Sequence, residues 1–188
     1  MVASNRSLAL LLAACSLALV AGCGRDEPRS AATAAELAAA LEGAPSPLER
    51  LYARGGEVVD GGLEGFERQL RSLRGYPVVV NKWASWCGPC RFEFPFFQNQ
   101  AKRKGKRIAF LAVDSRDNRE DARKFLRRYP VPYPSWFDPK GEIARSFRGD
   151  RAAPETAFYD RSGELVYTKP GGYSSEAALA EDVRRYAR

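Results

Sequence analysis

The sequence predicts an α/β domain whose central sheet has mixed strand directions and is flanked by helices. Two aliphatic stretches, Pro77 to Trp83 and Arg107 to Ser115, have the length of buried strands, and a helical segment separates them. A strand-helix-strand unit of this kind is right-handed and makes its two strands parallel. Farther along the chain, two short strands joined by a turn at Asp160 to Gly163 predict a hairpin, which adds antiparallel strands.

The N-terminal part of the chain is predicted to lie outside this domain. Residues 1–22 contain one arginine and an apolar core, Leu8 to Val20, which is short for a bilayer span and typical of a secretory signal peptide. The small residues before Cys23 resemble a lipoprotein processing site, so we expect Cys23 to be acylated and to become the mature N-terminus. Residues 23–47 are rich in Ala, Pro, Ser and charge, which predicts a flexible tether with a frayed helix from Thr33 to Glu42.

Two alternatives concern the N-terminal cysteines. Cys15 has similar flanking residues, but processing there would leave an apolar core of only Leu8 to Ala14. An ordinary cleaved signal peptide would leave Cys23 as a spare thiol, which is disfavoured because a lone exposed cysteine in an oxidising compartment invites unwanted pairing. If Cys15 leaves with the signal and Cys23 carries lipid, the remaining thiols are Cys87 and Cys90.

The predicted domain, residues 48–188, contains further short elements around its two buried strands. The first helix after Trp83 should end near Lys104. The other expected elements are, in chain order, a short helix over 47–54, a hint of a strand over 57–59, an amphipathic helix over 63–73, a helix capped by Asn118 and ending near 129, an edge strand around 135–137, a brief helix over 141–147, hairpin strands over 156–159 and 165–168, and a closing helix capped by Ser174 or Ser175.

The motif Cys87-Gly88-Pro89-Cys90 lies where the first strand gives way to a helix. Cys87 falls at the helix N-terminus, where free N–H groups and the positive end of the helix dipole favour the thiolate over the thiol. Pro89 suits the first helical turn because its missing N–H is not needed there, whereas Pro95 should kink the same helix. A thiol with a lowered pKa and a partner three residues later can cycle between reduced and disulfide forms.

The segment Trp83-Ala84-Ser85-Trp86-Cys87-Gly88-Pro89-Cys90-Arg91, with Glu93 and Pro95 behind it, resembles the active site of the thioredoxin superfamily. It is more similar to the membrane-tethered, extracytoplasmic branch of TlpA/ResA/DsbE-like oxidoreductases, over roughly Leu73 to Arg185. The resemblance implies a thioredoxin-like fold with a TlpA-type central insertion over Pro130 to Phe147. It also implies that Cys87 is the exposed catalytic nucleophile and Cys90 the buried resolving thiol, with support from Trp86, Gly88 and Pro89.

A second segment, Ala152-Ala153-Pro154-Glu155-Thr156, resembles the cis-proline loop that faces the dithiol in this superfamily. The resemblance implies a cis peptide bond before Pro154. It also implies that the backbone of Ala153 binds an extended substrate peptide in the manner of an added strand. The alternative is a proline that merely begins the strand at Thr156.

Two carboxylates belong to the predicted site. Asn81 takes the position of the buried aspartate of classical thioredoxin and cannot accept a proton. Glu93, one helical turn after Cys90, and Glu155, beside Pro154, resemble acids that the cytochrome-maturation members keep near the dithiol. We expect Glu155 to lie beside Cys87, where it would raise the thiol pKa against the helix dipole, and the sequence leaves open which effect prevails. A solvated strand end is the alternative for Glu155.

Composition excludes several other functions. The formal net charge is +7, but 30 basic and 23 acidic residues are intermixed. The basic run from Lys102 to Arg107 is best explained as a solvated helix end and turn, so no nucleic-acid partner is predicted. The chain has no histidine, which excludes Ser-His-Asp and Cys-His catalysis. Two thiols without histidine fall short of a zinc site, so no metal and no other cofactor is predicted.

These observations favour an extracytoplasmic thiol:disulfide oxidoreductase that is anchored to the cell membrane as a lipoprotein. Its expected partners are protein thiols and disulfides, including apocytochrome c before haem attachment, a membrane electron donor or acceptor, and the lipid membrane through Cys23. One alternative is an oxidant of secreted proteins with the same residues and the opposite redox poise. The other is a non-catalytic lipoprotein, which is disfavoured because a disulfide between Cys87 and Cys90 closes so small a loop that it would stabilise the fold weakly.

Overall fold

The computed structural model describes residues 32–188. The predicted signal peptide, Cys15, Cys23 and the first part of the predicted tether lie outside the described residues. The described chain contains helices α1 Ala34–Leu41, α2 Ser46–Tyr52, α3 Gly62–Ser72, α4 Gly88–Lys104, α5 Arg119–Arg128, α6 Glu142–Ser146 and α7 Glu176–Tyr186, and strands β1 Val58–Val59, β2 Val78–Trp83, β3 Ala109–Ser115, β4 Ser135–Asp138, β5 Glu155–Tyr159 and β6 Leu165–Pro170.

The strands form one six-stranded sheet in the order β1-β4-β3-β2-β5-β6. Strands β1, β4, β3 and β2 are parallel neighbours, whereas β5 is antiparallel to β2 and β6 is antiparallel to β5. The predicted mixed sheet and the predicted hairpin are therefore confirmed. The dithiol motif follows β2, which lies inside the sheet between β3 and β5.

Each face of the sheet carries its own hydrophobic core. Val79 and Trp83 of β2 face the first core, which is completed by α4, α5 and α7. Val78 and Val80 face the second core, which is completed by α2, α3 and α6. Side chains alternate along a strand, so the face on which a residue of β2 or β5 lies follows from whether its number is odd or even. This alternation decides which polar residues can approach the dithiol.

The folded unit begins before residue 48, which differs from the predicted tether. Thr33 caps α1 through a capping box with Glu36. Leu37 and Leu41 are only 1% and 4% exposed, and Leu41 lies against Gly105 at the end of α4. Burying a leucine contributes roughly 1.5–3 kcal/mol, which is enough to hold a short helix against the domain. The alanine-rich composition concealed these two anchoring residues.

Two smaller expectations are also corrected. The strand around 135–137 is not at the edge of the sheet, because Ser135 and Trp136 pair with Val58 and Val59 of β1. The edge position therefore belongs to β1, which sequence inspection gave only as a hint because it is two residues long. Helix α4 continues through Pro95 to Lys104. Among residues 32–188, no helix is both long enough and apolar enough to cross a membrane.

Candidate active site

The two cysteines of the motif form a disulfide at the start of α4. Cys87 is the N-cap residue, and its sulfur accepts a hydrogen bond from the backbone N–H of Cys90 at 3.1 Å. Pro89 lies in the first turn of the helix. The predicted position of Cys87 at the helix N-terminus is confirmed. When the disulfide is reduced, the same N–H group and the helix dipole favour a thiolate at Cys87.

Cys87 is less accessible than expected in this disulfide form. The residue is 2% exposed and Cys90 is completely buried. The sulfur of Cys87 is bonded to Cys90, and both cysteines pack in the first core, so the prediction of an exposed Cys87 is wrong for the oxidised state. The exposed surface around the disulfide is instead formed by the residues on either side of Cys87 in the chain. Trp86 is 63% exposed, and Gly88 and Pro89 are also exposed.

The loop that leads into Cys87 is anchored by the segment after β3. The hydroxyl of Ser85 donates a hydrogen bond to Asp117 at 2.8 Å, and the backbone N–H of Ser85 donates to the same carboxylate. The indole Nε1 of Trp86 donates to the carbonyl oxygen of Arg116 at 3.1 Å. Sequence inspection missed Asp117, whose only signal is an acid just after the second buried strand.

The peptide bond between Ala153 and Pro154 is cis, as predicted. Pro154 is buried, and Ala153 packs against the core that contains the dithiol. A Cβ atom built on Gly172 would lie 3.2 Å from Cγ of Pro154 and 3.4 Å from Oε2 of Glu93. The absence of a side chain at Gly172 therefore lets the segment after β6 approach both the cis-proline loop and α4. Sequence inspection did not identify this glycine.

Glu93 is a buried acid on the same helix as the dithiol. It is 0% exposed and accepts hydrogen bonds from Nδ2 of Asn81 at 2.7 Å and from the backbone N–H of Tyr173 at 3.0 Å. Burial raises the pKa of Glu93 to about 7, against the opposing effect of these hydrogen bonds and of Lys169. The Glu93 carboxyl can therefore gain or lose a proton near neutral pH, one helical turn from Cys90.

Glu155 does not face the dithiol. Its carboxylate lies 3.0 Å from Nζ of Lys82, and the two side chains are 1% and 6% exposed. Lys82 also donates to the carbonyl oxygen of Ala152. Glu155 and Lys82 are paired across β5 and β2 on the face of Val80 and Ala157, opposite to the face of the cysteines. The prediction that Glu155 lies beside Cys87 is therefore wrong, because strand alternation turns its side chain away and an ammonium group pairs with its charge.

A third buried acid, Asp114, lies near the end of β3 and was not identified from the sequence. The residue is 0% exposed, and neither of its carboxyl oxygens accepts a hydrogen bond from an N–H group or a hydroxyl. Burial, as the largest cause, and the nearby carboxylate of Asp117 raise the pKa of Asp114 to about 9. The available signal was a lone aspartate at the end of an otherwise aliphatic strand. Within residues 32–188, no group of acids and cysteines is arranged to hold a metal ion.

Comparison with known proteins places the motif in a family context. Residues 57–168, which are more than half of the chain, match the AhpC/TSA family. The chain is 30% identical over 133 residues to the thiol-disulfide oxidoreductase ResA of Halalkalibacterium halodurans, a match that covers 68% of this chain and 75% of the relative. It is 28% identical over 115 residues to ResA of Bacillus thuringiensis, which covers 61% of this chain and 66% of that relative.

Solved structures show the same thioredoxin-like fold. A DsbE-type thiol:disulfide interchange protein from Chlorobium tepidum is 35% identical, with a TM-score of 0.55 over 62% of this chain and 83% of that one. An exposed lipoprotein thioredoxin, Etrx1, from Streptococcus pneumoniae is 27% identical, with a TM-score of 0.54 over 62% of this chain and 89% of that one. The thioredoxin-like fold that the resemblance implied is confirmed.

Proposed function

This chain belongs to the AhpC/TSA family, and we propose that it is a thiol:disulfide oxidoreductase whose reactive groups are Cys87 and Cys90. The observation that carries the proposal is the disulfide at the N-terminus of α4, with the N–H of Cys90 directed at the sulfur of Cys87. A hydrogen bond of this kind stabilises a thiolate at Cys87 more than a thiol, and so activates it as a nucleophile.

The proposed reaction is a two-electron exchange. The thiolate of Cys87 attacks one sulfur of a substrate disulfide, forms a mixed disulfide and releases the other substrate sulfur as a thiolate, which takes up a proton. Cys90 loses its proton and attacks the sulfur of Cys87, which releases the second substrate thiolate. The substrate disulfide is thereby reduced to two thiols, and the Cys87–Cys90 pair is oxidised to the disulfide seen here.

Glu93 is suited to accept the proton of Cys90. Its carboxyl is buried one helical turn after Cys90 and has a pKa of about 7, so both of its protonation states are populated at neutral pH. Once the thiol has been oxidised, the proton can leave to solvent or to the next thiolate. Asn81 and Tyr173 hold the carboxyl in place through hydrogen bonds in either state of the reaction.

The substrate-facing surface is proposed to combine Trp86, Gly88 and Pro89 on one side with Ala153 and Pro154 on the other. Trp86 offers an exposed aromatic surface beside the dithiol. An extended peptide would pair its backbone with that of Ala153, as an added strand does. Substrates would then be recognised mainly by an accessible, extended disulfide segment.

We propose that the protein reduces specific extracytoplasmic disulfides, such as that of apocytochrome c, and is itself reduced by a membrane electron donor. The similarity to a thiol-disulfide oxidoreductase, ResA, and to a DsbE-type thiol:disulfide interchange protein supports the exchange reaction itself. The buried acid one helical turn after Cys90 supports the reducing direction, because a negative charge at Glu93 disfavours the thiolate and makes the reduced form a better donor. The alternative is an oxidant of secreted proteins. Acylation at Cys23, supported by the similarity to an exposed lipoprotein thioredoxin, would hold the domain at the outer face of the membrane.

The test is disulfide reduction by the reduced soluble domain, followed by measurement of the potential of the Cys87/Cys90 pair. We expect turnover that disappears in Cys87→Ser and persists when the exposed Val166 is changed to alanine as a matched control. A potential near that of thioredoxin, about −270 mV, supports a reductant, and one near that of DsbA, about −120 mV, supports the oxidant. Folded Cys87→Ser protein with wild-type turnover would refute the proposal.

A further inference from the structure

Asp114 is a carboxyl group buried without a donor. It pairs in the sheet with Trp83 of β2 and with Phe137 of β4, so apolar aromatic residues border it on both sides. It is 0% exposed, and neither oxygen accepts a hydrogen bond. An ionised carboxylate in such a place is far less stable than a neutral carboxylic acid. The environment therefore selects the protonated form.

The charged groups around Asp114 do not supply the missing cation. Arg119, at the start of α5, stacks over the ring of Phe137 at 4.2 Å from the centroid and forms an ion pair with Asp60. The positive charge of Arg119 is therefore partly neutralised by Asp60, which is exposed. It lowers the pKa of Asp114, but burial and the neighbouring acids outweigh this effect.

The two neighbouring acids, Asp138 and Asp117, act in the opposite direction. The carboxylate of Asp138 accepts N–H bonds from the start of α6, and it disfavours a second negative charge at Asp114. The guanidinium of Arg116 lies beside Gly141, where a Cβ atom would be 3.0 Å from its Nε. Asp117 raises the pKa of Asp114 both through its negative charge and through a side-chain hydrogen bond, which requires a proton on one of the two carboxyl groups. A protonated Asp114 therefore has one natural acceptor, which is Asp117.

Asp117 is also the group that holds the loop before the dithiol. It accepts both the backbone N–H and the hydroxyl of Ser85, while the carbonyl of Arg116 accepts the indole N–H of Trp86. Arg116 has a positive φ of 57°, an uncommon conformation for a residue with a side chain. The tight turn at Arg116 thus presents one carbonyl and one carboxylate to consecutive residues directly before Cys87.

We propose that Asp114 carries a proton at neutral pH and donates it to the carboxylate of Asp117, so that the pair positions Ser85 and Trp86 at the entrance to the Cys87–Cys90 disulfide. Asp114 is then a positioning residue, which acts through Asp117 and does not touch the reacting sulfurs. The inference rests on the proposed function only for the catalytic purpose that it gives to the loop. The contacts of Asp114 and Asp117 hold that loop whatever reaction the disulfide undergoes.

This arrangement makes the position of the loop at Ser85 and Trp86 sensitive to alkaline pH. Loss of the proton from Asp114 would leave two adjacent carboxylates and no donor between them. Their repulsion would displace Asp117, weaken its hydrogen bonds to Ser85 and release Trp86 from Arg116. The buried disulfide, which is covered in the present structure, would then become easier for an external reductant to reach. The raised pKa of Asp114, about 9, agrees with a transition at this end of the pH range.

The decisive variant is Asp114→Asn in the full chain, because an amide donates to Asp117 but cannot ionise. The rate at which a neutral phosphine reduces the Cys87–Cys90 disulfide is measured from pH 6 to pH 10 for both proteins. We expect the ratio of wild-type to variant rates to stay near one up to pH 8 and then to increase several-fold. The reagent's own pH dependence cancels in this ratio. A ratio that is constant over the whole range would overturn the proposal.

Two further variants and a spectrum keep the test independent of the enzyme assay. Asp121→Asn removes an exposed charge from the first turn of α5, and it should retain the wild-type profile. Asp114→Leu removes the donor, and it should be reduced faster than wild type already at pH 7. The infrared spectrum at pH 8 should show a protonated carboxyl band that persists in Glu93→Gln and is lost in Asp114→Asn. If that band is missing from the wild type, Asp114 is ionised and the proposal fails, even if disulfide exchange activity is normal.

Discussion

Glu93 on helix α4 accepts a hydrogen bond from the amide of Asn81 on strand β2, with 2.7 Å between Oε1 and Nδ2. The strand thus contributes an amide to this contact, and the acid lies on the helix. Asn81 cannot titrate, so Glu93 is the member of this pair that can gain or lose a proton. The pair lies on the same face of the sheet as Cys87 and Cys90.

The order of attack can be tested with single cysteine variants. Cys90→Ser should accumulate mixed disulfides with partner proteins, because Cys87 can attack a substrate but cannot be released by a resolving thiol. Cys87→Ser should not accumulate them. Non-reducing electrophoresis of the two variants distinguishes the roles. Complexes that form with Cys87→Ser instead would reverse the assignment.

Glu93→Gln should flatten the pH dependence of stability. The pKa of Glu93 is raised from 4.5 to about 7 in the folded protein, so the folded state binds the proton more tightly than the unfolded state. The stabilisation is fully present below about pH 4.5 and is lost as pH rises through 7, at up to about 1.4 kcal/mol per pH unit between these values. Urea unfolding of the oxidised protein at pH 5, 6 and 7 measures this slope. In Glu93→Gln we expect a shallower slope over the same interval, whereas the exposed control Glu181→Gln should behave like wild type.

The same variant should change the redox chemistry. Removing the negative charge of Glu93 should lower the thiol pKa of Cys87, and this stabilises the reduced form. A shift of one pKa unit corresponds to roughly 30 mV for this two-electron couple, in the more oxidising direction. Thiol titration and a glutathione equilibrium measure the two quantities. If neither changes, the carboxyl of Glu93 is only a structural acceptor for Asn81 and Tyr173.

Glu155→Gln should lower the stability of the fold and leave the redox potential unchanged. Removing its charge leaves the buried ammonium of Lys82 without an ion-pair partner, which costs on the order of 3 kcal/mol. The Cys87/Cys90 potential should remain at the wild-type value, because Glu155 lies on the other face of the sheet. Denaturant unfolding and the glutathione equilibrium measure stability and potential separately. A changed redox potential with wild-type stability would show that Glu155 does influence the dithiol.

Membrane attachment is tested at Cys23. Cys23→Ala should abolish lipid attachment, and the protein should then remain as an unprocessed precursor or appear in the soluble fraction. Metabolic labelling with a fatty acid and fractionation of cells provide the two measurements. The matched control is Cys15→Ala, which should be processed and labelled like wild type. Wild-type membrane association of Cys23→Ala would exclude the lipoprotein interpretation.

The N-terminal boundary of the domain is tested at α1. Leu37→Ala and Leu41→Ala should each destabilise the soluble domain by about 2–3 kcal/mol, since both side chains are buried. The exposed Ala38→Ser should cost only a few tenths of a kcal/mol, the difference in helix propensity. Urea unfolding of the protein and of each variant makes this comparison. If all three variants are equally stable, α1 belongs to the tether and not to the folded domain.

The local features of this protein were determined by its sequence. The apolar content of residues 78–83, the placement of Pro89 and Cys87 at a helix start, and the turn between β5 and β6 all depend on neighbouring residues, and sequence reasoning predicted them correctly. The cis bond before Pro154 was predicted as well, because the resemblance supplied a context that spans both segments of the site.

Only the tertiary structure decided the environment of each buried acid. Glu93, Glu155 and Asp114 are all acidic residues in the sequence, but their environments depend on the face of the sheet and on the groups around them. Glu93 is held by Asn81 and Tyr173, and Glu155 is paired with Lys82. Asp114 is influenced by Asp117. The pKa of a carboxyl depends on desolvation and on nearby charges, and both are properties of the packed molecule. Strand alternation then turned Glu155 away from the cysteines, although it is adjacent in sequence to the cis-proline.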